Sequence, residues 1–134
     1  MSAMSTYLEN ALASHVLRNT AYTTPGTSIY VGLINFYETA KLEAGTLTQE
    51  QSGGAYARVQ TTAWDAPSDG ATQNTAAVTF PTATANWGMV SGVFIADASS
   101  GTNVLLHGSL TTARDVQDGD VFKFNAGDLD VTFA

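Results

Sequence analysis

The amino-acid sequence predicts a mainly β protein, an antiparallel β-sandwich or barrel with one N-terminal α-helix. Three observations carry that prediction. Short runs rich in β-branched and aromatic residues recur with turn signals roughly every 8–12 residues, about seven runs in all. The run Asn86–Asp97 is strongly apolar and uncharged up to its last residue, which suits a strand with dry cover on both faces. A clear helical period of apolar residues occurs in one place, near the N-terminus.

The helix is predicted over residues 6–18. Thr6 and Glu9 fit a capping box, in which a hydroxyl and a carboxylate each satisfy a free backbone N–H. Leu8, Ala11, Leu12, His15 and Val16 follow at helical spacing. Arg18 suits the negative end of the helix dipole, and Asn19 tolerates the left-handed conformation that ends a helix. Thr23–Gly26 is a turn, and Ser28–Leu33 is the first predicted strand. Residues 34–51 show no period of 2 or 3.6. They are expected to form a long excursion with a short helix near Ala40, the kind of loop that is often functional or mobile.

Strands are then predicted at Tyr56–Thr62 and Thr75–Phe80, separated by the strong turn Ala66–Gly70. In the central run, strict alternation places Met89, Ser91, Val93 and Ile95 on one face, and Val90, Gly92, Phe94 and Ala96 on the other. A turn-rich loop at Ala98–Asn103 follows. The next strand, Asn103–Ser109, is expected to put Leu105 and His107 on one face and Val104 and Leu106 on the other. Asp118–Asp120 reads as a hairpin turn between that strand and Val121–Phe124. In Leu129–Phe133, apolar and polar residues alternate, so one face is expected to be dry and one wet. The whole chain, 1–134, is expected to be a single domain.

Composition narrows the function. Charged residues make up 13 % of the chain and the net charge is −7. Ordinary globular chains carry about 25 % charged residues, so this surface is built from Thr, Ser, Ala, Asn, Gln and Gly and is weakly defended against association. The acidic balance argues against a direct nucleic-acid partner. The absence of cysteine excludes disulfides and thiolate zinc sites. No stretch reaches the ~20 apolar residues of a membrane helix, and the N-terminus lacks the basic and apolar regions of a signal peptide. No membrane partner and synthesis in the cytoplasm are therefore expected.

Candidate chemistry is sparse. His15 and His107 have no nucleophile or acid placed beside them by motif, so both are expected to be structural, each bonding a backbone carbonyl. Asp115, Asp118, Asp120, Asp128 and Asp130 form the best metal candidate, but their spacing is not that of a calcium loop, and a solvated hairpin is the expected outcome. Gly53–Gly54 lacks the Lys and Ser/Thr of a phosphate loop. Trp64, Trp87 and Tyr56 would serve a glycan-binding module only if they were exposed together. No cofactor, no metal and no enzymatic activity are expected.

Several segments carry a resemblance: Tyr7–Leu12, His15–Thr23, Tyr30–Leu33, Ser52–Arg58, Val78–Pro81, Ala85–Gly88, Leu106–Gly108 and Gly127–Leu129. Together, in this order, they resemble a family of small tailed-bacteriophage virion proteins, often labelled tail fibre proteins. The likeness spans nearly the whole chain and departs between Ile34 and Gln51. It implies a structural, non-enzymatic role in the virion. It carries no catalytic residues.

Small size and a weakly charged surface favour a capsid decoration, or cement, protein that clamps the head shell, expected as a homotrimer. The partner would be the major capsid protein or another virion protein. A tail fibre or tail-tip component is the alternative. The expected contact residues are Tyr7, Leu8, Leu12 and Val16 on the helix, Phe36, Tyr37 and Leu42 in the excursion, and Trp87 before the central strand.

Overall fold

The structure, a computed structural model, describes residues 3–101 and 103–133. The predicted loop residue Thr102 lies outside them. The protein is mainly β and antiparallel, with a helix at its N-terminus. Strand β1 (Ala3–Met4) leads into helix α1 (Thr6–Leu17). Then come β2 (Tyr30–Ile34), the short helix α2 (Thr39–Glu43) and β3 (Val59–Gln60). Strands β4 (Ala71–Gln73) and β5 (Val78–Thr79) precede the two long strands β6 (Gly88–Ala96) and β7 (Val104–Val116). The chain ends with β8 (Lys123–Phe124) and β9 (Asp130–Thr132).

The main sheet has five strands in the order β1-β7-β6-β2-β3, every pair antiparallel. Strand β6 is in the middle, as its two apolar faces require. Two ribbons, β4 with β9 and β5 with β8, make separate two-stranded sheets. They meet the main sheet in the larger core cluster, where Val31, Leu33, Val90, Val93 and Ile95 pack with Val78, Phe80, Phe122, Phe124, Leu129 and Val131. Phe80, Phe122 and Phe124 contact one another edge to face, an arrangement that favours aromatic pairs.

Three differences from the sequence expectation have clear physical causes. Strand β7 runs to Val116, well past Ser109, because pairing with β6 carries it through a stretch whose side chains are mostly exposed and show no alternation. The strand expected at Tyr56–Thr62 is reduced to Val59–Gln60, because Tyr56 and Arg58 are drawn into side-chain bonds described below. Strands β1 and β4 are too short to show any period.

The faces of the central strands also differ from strict alternation. Val90 pairs with Arg114 but Gly92 pairs with Ser109, so Leu110 to Ala113 stand opposite Ser91 alone. Such an irregularity re-aims the side chains beyond it. Val90 therefore shares the larger core with Val93 and Ile95, while Phe94 and Ala96 turn to the other face. A second slip lies between Ile95, opposite Leu106, and Ala96, opposite Val104. It leaves Leu105 unpaired and moves Leu105 and Leu106 into the larger core, with Val104 on the opposite face. The expected pairing of Leu105 with His107, and of Val104 with Leu106, is corrected accordingly.

The second face is covered by the excursion, residues 35–50. Its ends are tied to the edge of β2 and to each other, through Asn35 N–H to the Gln49 carbonyl at 2.9 Å and Gln51 N–H to the Leu33 carbonyl at 3.0 Å. Ile34, Leu42, Phe94, Ala96 and Val104 form a second, smaller buried cluster, with Tyr37 and Leu47 packed on it. Helix α2 forms near Ala40, as expected, and its Leu42 is wholly buried. The expected excursion is thus the second cover of the sheet, with Phe36 left exposed on it.

Polar latches hold that lid. His107 is buried, with Nε2 2.9 Å from the Glu43 carboxylate and Nδ1 2.8 Å from the Tyr37 hydroxyl. The two ring nitrogens thus tie β7 to Tyr37 and to helix α2. Ser91 Oγ accepts from Tyr37 N–H and donates to the Asn35 carbonyl. Arg58 makes two parallel bonds to Glu50, at 2.7 and 2.8 Å. It also donates to the carbonyls of Ala98 and Gly101, and its guanidinium lies 4.9 Å from the centre of the Phe94 ring. Burial opposes the charge on Arg58, but the bonds to Glu50 and its charge outweigh that and hold the pKa above the usual arginine value. Burial, reinforced by Glu50, pushes the Tyr56 phenol far above its usual range. The phenol therefore stays a donor, to Glu50 at 2.8 Å, while accepting from Leu33 N–H at 3.0 Å.

Two glycines make the close approach possible. A Cβ on Gly32 would lie 2.2 Å from Phe94 Cζ, and one on Gly92 would lie 2.7 Å from Tyr37 Cδ1. Gly32→Ala is expected to destabilise the protein by about 1–3 kcal/mol, the usual cost of overpacking a dry core. The measurement is the urea midpoint. Adding Phe94→Leu should recover part of the loss, because the two substitutions share one contact.

Candidate assembly surface

Helix α1 begins at Thr6, as expected, but its cap is Ser5 and not Thr6. The buried Ser5 hydroxyl accepts from Leu8 N–H at 3.3 Å and bonds the Val104 carbonyl, and Ser5 N–H donates to Leu105. A cap residue that also bonds β7 fixes where the helix starts, which local pattern alone does not show. The other end agrees with the sequence: Arg18 is the cap, and Asn19 is left-handed with φ 56°.

Only the first half of the apolar stripe docks. Leu8 is buried and Leu12 is half-buried against the larger core. Beyond Leu12 the apolar residues face outward. Val16 is 74 % exposed and Leu17 is 81 % exposed. Tyr7, on the first turn, is also exposed. The helix carries a single acid, Glu9, in its first turn. Its free end is therefore an apolar tip on a weakly charged helix.

Next to the docked half lies an open apolar cavity of about 290 Å³. Leu8 and Leu12 form one wall, Tyr22 and Ile29 a second, and Trp64 and Phe133 lie across from them. Another recess lies between the outer face of α1 and the returning chain, from Tyr7 and Ser14 to Thr20–Thr23. Phe36, Met89 and Val121 add exposed apolar side chains elsewhere.

The expected contact residues thus divide. Tyr7, Val16 and Phe36 are exposed. Leu12 and Tyr37 are half-buried, Tyr37 holding His107. Leu8, Leu42 and Trp87 are corrected to core residues, since packing within the chain accounts for their apolar character. Trp87 Nε1 donates to the Gly54 carbonyl at 2.9 Å. The sequence reading missed Leu17, Met89, Val121 and Phe133. Phe133 alternates in phase with the buried Leu129 and Val131 and carried no signal of exposure, whereas Leu17 lies off the helical stripe, a position that points outward.

The other candidates fall into structural places. His15 accepts from Tyr22 N–H at 3.2 Å, so neither histidine makes the expected bond to a backbone carbonyl. Asp120 accepts from Gln117 N–H and Asp128 from Asn125 N–H, so these acids fold back onto their own turns. Asp115 accepts from Gln117 Nε2, and Asp118 N–H donates to Asn86. Among the described residues no group of three or more His, Asp or Glu is placed to hold a metal. No described helix is long and apolar enough to cross a membrane. Tyr56 stands edge-on to the buried Trp87, and Trp64 lines the apolar cavity, so the three rings do not form one exposed stacking platform.

This division has a direct stability test. Val16→Asn and Leu17→Asn should each stay within about 0.5 kcal/mol of the parent, whereas Leu8→Ala should cost about 2–5 kcal/mol. Urea denaturation of the isolated chain reads both.

The chain matches a family model described as Podophage GP4 fiber I protein gp80 over residues 3–132. No curated protein matches it. The matched span takes in every strand, both helices and the covering excursion. The chain belongs to the family of the podophage GP4 fiber I protein gp80, a family of tailed-phage virion structural proteins.

Proposed function

We propose that this protein is a non-enzymatic structural module of the virion that works by burying its surface against other virion subunits, copies of itself included. The observation that carries this is the free end of α1, where Val16 and Leu17 stand 74 % and 81 % exposed beside an open apolar cavity. Fully covering a side chain of this kind contributes about 1.5–3 kcal/mol. A few such contacts, repeated by symmetry, add up through avidity. With 13 % charged residues, few charges have to be desolvated in such a contact.

The family description favours a place in a fibre or at its attachment to the tail. A second reading, head decoration as a homotrimer on the major capsid protein, draws on other observations. The chain is short, α1 is its longest helix at 12 residues, and its surface is weakly charged. A small β module of this kind suits a clamp on a shell as well as a knob on a fibre.

The test is incorporation into virions. Phage carrying Val16→Lys and Leu17→Lys together should package at least about tenfold less of this protein, the equivalent of ~1.4 kcal/mol of lost contact. Normal incorporation of the doubly substituted protein would contradict the proposed contact. Antibody labelling of intact virions then separates the two places: label at the tail supports the fibre reading, and label over the head supports decoration.

A further inference from the structure

A different groove lies on the far part of β7. Where β7 slips against β6, Leu110 to Ala113 stand away from regular pairing, and Ser109, Leu110, Thr111, Thr112 and Arg114 line one side of the groove. Lys123 on β8 and Asp128 form the other, and the space between measures about 290 Å³. Its floor is apolar, made by Phe122 and Leu129 among others, and its rim carries the hydroxyls of Ser109, Thr111 and Thr112.

Charge singles this groove out. The chain has five bases and a net charge of −7. Lys41 pairs with Glu38 and Arg58 with Glu50. Of the remaining three, Arg114 and Lys123 both line this groove, and neither has a carboxylate partner among the described residues. The Arg114 guanidinium lies 5.8 Å from the centre of the Phe122 ring, which holds it in place over the floor. Asp128 uses Oδ2 to accept from Asn125 N–H, leaving Oδ1 as an acceptor on the opposite wall.

We propose that this groove binds a single anionic sugar unit, one bearing a carboxylate or a phosphate. Arg114 and Lys123 take the acid group, Thr and Ser hydroxyls exchange bonds with the sugar hydroxyls, and Asp128 accepts from one of them. The apolar floor receives the C–H face of the ring. A bare inorganic anion can accept from the rim hydroxyls, but it leaves the apolar floor uncovered, has no hydroxyl to donate to Asp128 and is repelled by it, so the arrangement selects the sugar as well as its charge. The volume lies at the small end of the ~300–1,000 Å³ usual for small-molecule sites, which suits one ring. This site is separate from the α1 tip, so it stands or falls independently of the assembly role.

The experiment is an amide NMR titration of the ¹⁵N-labelled chain with glucuronate, glucose 6-phosphate, glucose and inorganic phosphate. Either anionic sugar should shift resonances of Ser109–Arg114, Lys123 and Asp128. Whichever binds tighter identifies the acid group. Glucose and inorganic phosphate should bind at least about tenfold more weakly. Arg114→Gln with Lys123→Gln should weaken binding by a similar factor with the rest of the spectrum unchanged, and Arg18→Gln should leave it intact. No shift with either anionic sugar, shifts confined to other residues, phosphate binding as tightly as its sugar ester, or full binding by the doubly substituted chain would each overturn the proposal.

Discussion

The structure depends on one constraint: from Val90 onward strand β6 is mostly apolar on both faces and must be kept dry on both. A central strand of this kind cannot be satisfied by one sandwich layer. The ribbons β4-β9 and β5-β8 cover Val90, Val93 and Ile95. The excursion between β2 and β3 covers Phe94 and Ala96. The chain thus forms three layers around one sheet, with the third made of a short helix and irregular backbone. Burial of the second face explains why Gly32 and Gly92 have no side chain, since Phe94 and Tyr37 occupy that space.

Irregular backbone over an apolar face brings polar groups into a dry place, where each must find a partner. The excursion solves most of this with side chains, although the buried Gln49 Oε1 has no hydrogen-bond partner among the described residues. Glu43 meets His107, Tyr37 bonds both His107 and Ser91, and Glu50 meets Arg58. Breaking a buried ion pair on one side costs more than the pair itself contributes, so these contacts specify the position of the lid more than they add to stability. The geometry also explains why so few charges suffice for this fold. Arg58 is the one buried base, and of the three bases without a carboxylate partner among the described residues two share one groove.

Much of the fold was legible in the sequence because it rests on local pattern. The helix, its Asn19 terminus, the central strand and the alternation of Leu129 and Val131 all follow from period and residue type. The faces of β6 and β7 were not legible. Two register slips change the phase, and a slip is set by pairing between segments far apart in the chain. The excursion was misjudged for a related reason: Leu42 and Tyr37 look like loop residues until Phe94 is placed beneath them. The surface was read with partial success. Val16 was found from its spacing, but whether a stripe docks along its full length depends on where Ser5 pins the helix. The groove of Arg114 and Lys123 had no sequence signal, since it is built by a slip.

The chain itself covers both faces of β6 beyond Met89, and the most exposed large apolar side chains are then Val16 and Leu17 at the α1 tip. Native-state hydrogen exchange on the isolated chain tests this most directly. The amides of Asn35, Tyr37 and Gln51, which bond Gln49, Ser91 and Leu33, should show protection approaching that of β2 and β6, because the lid and the sheet share one buried cluster. Exchange of these three amides at the rate of an open loop, with β6 still protected, would contradict the account.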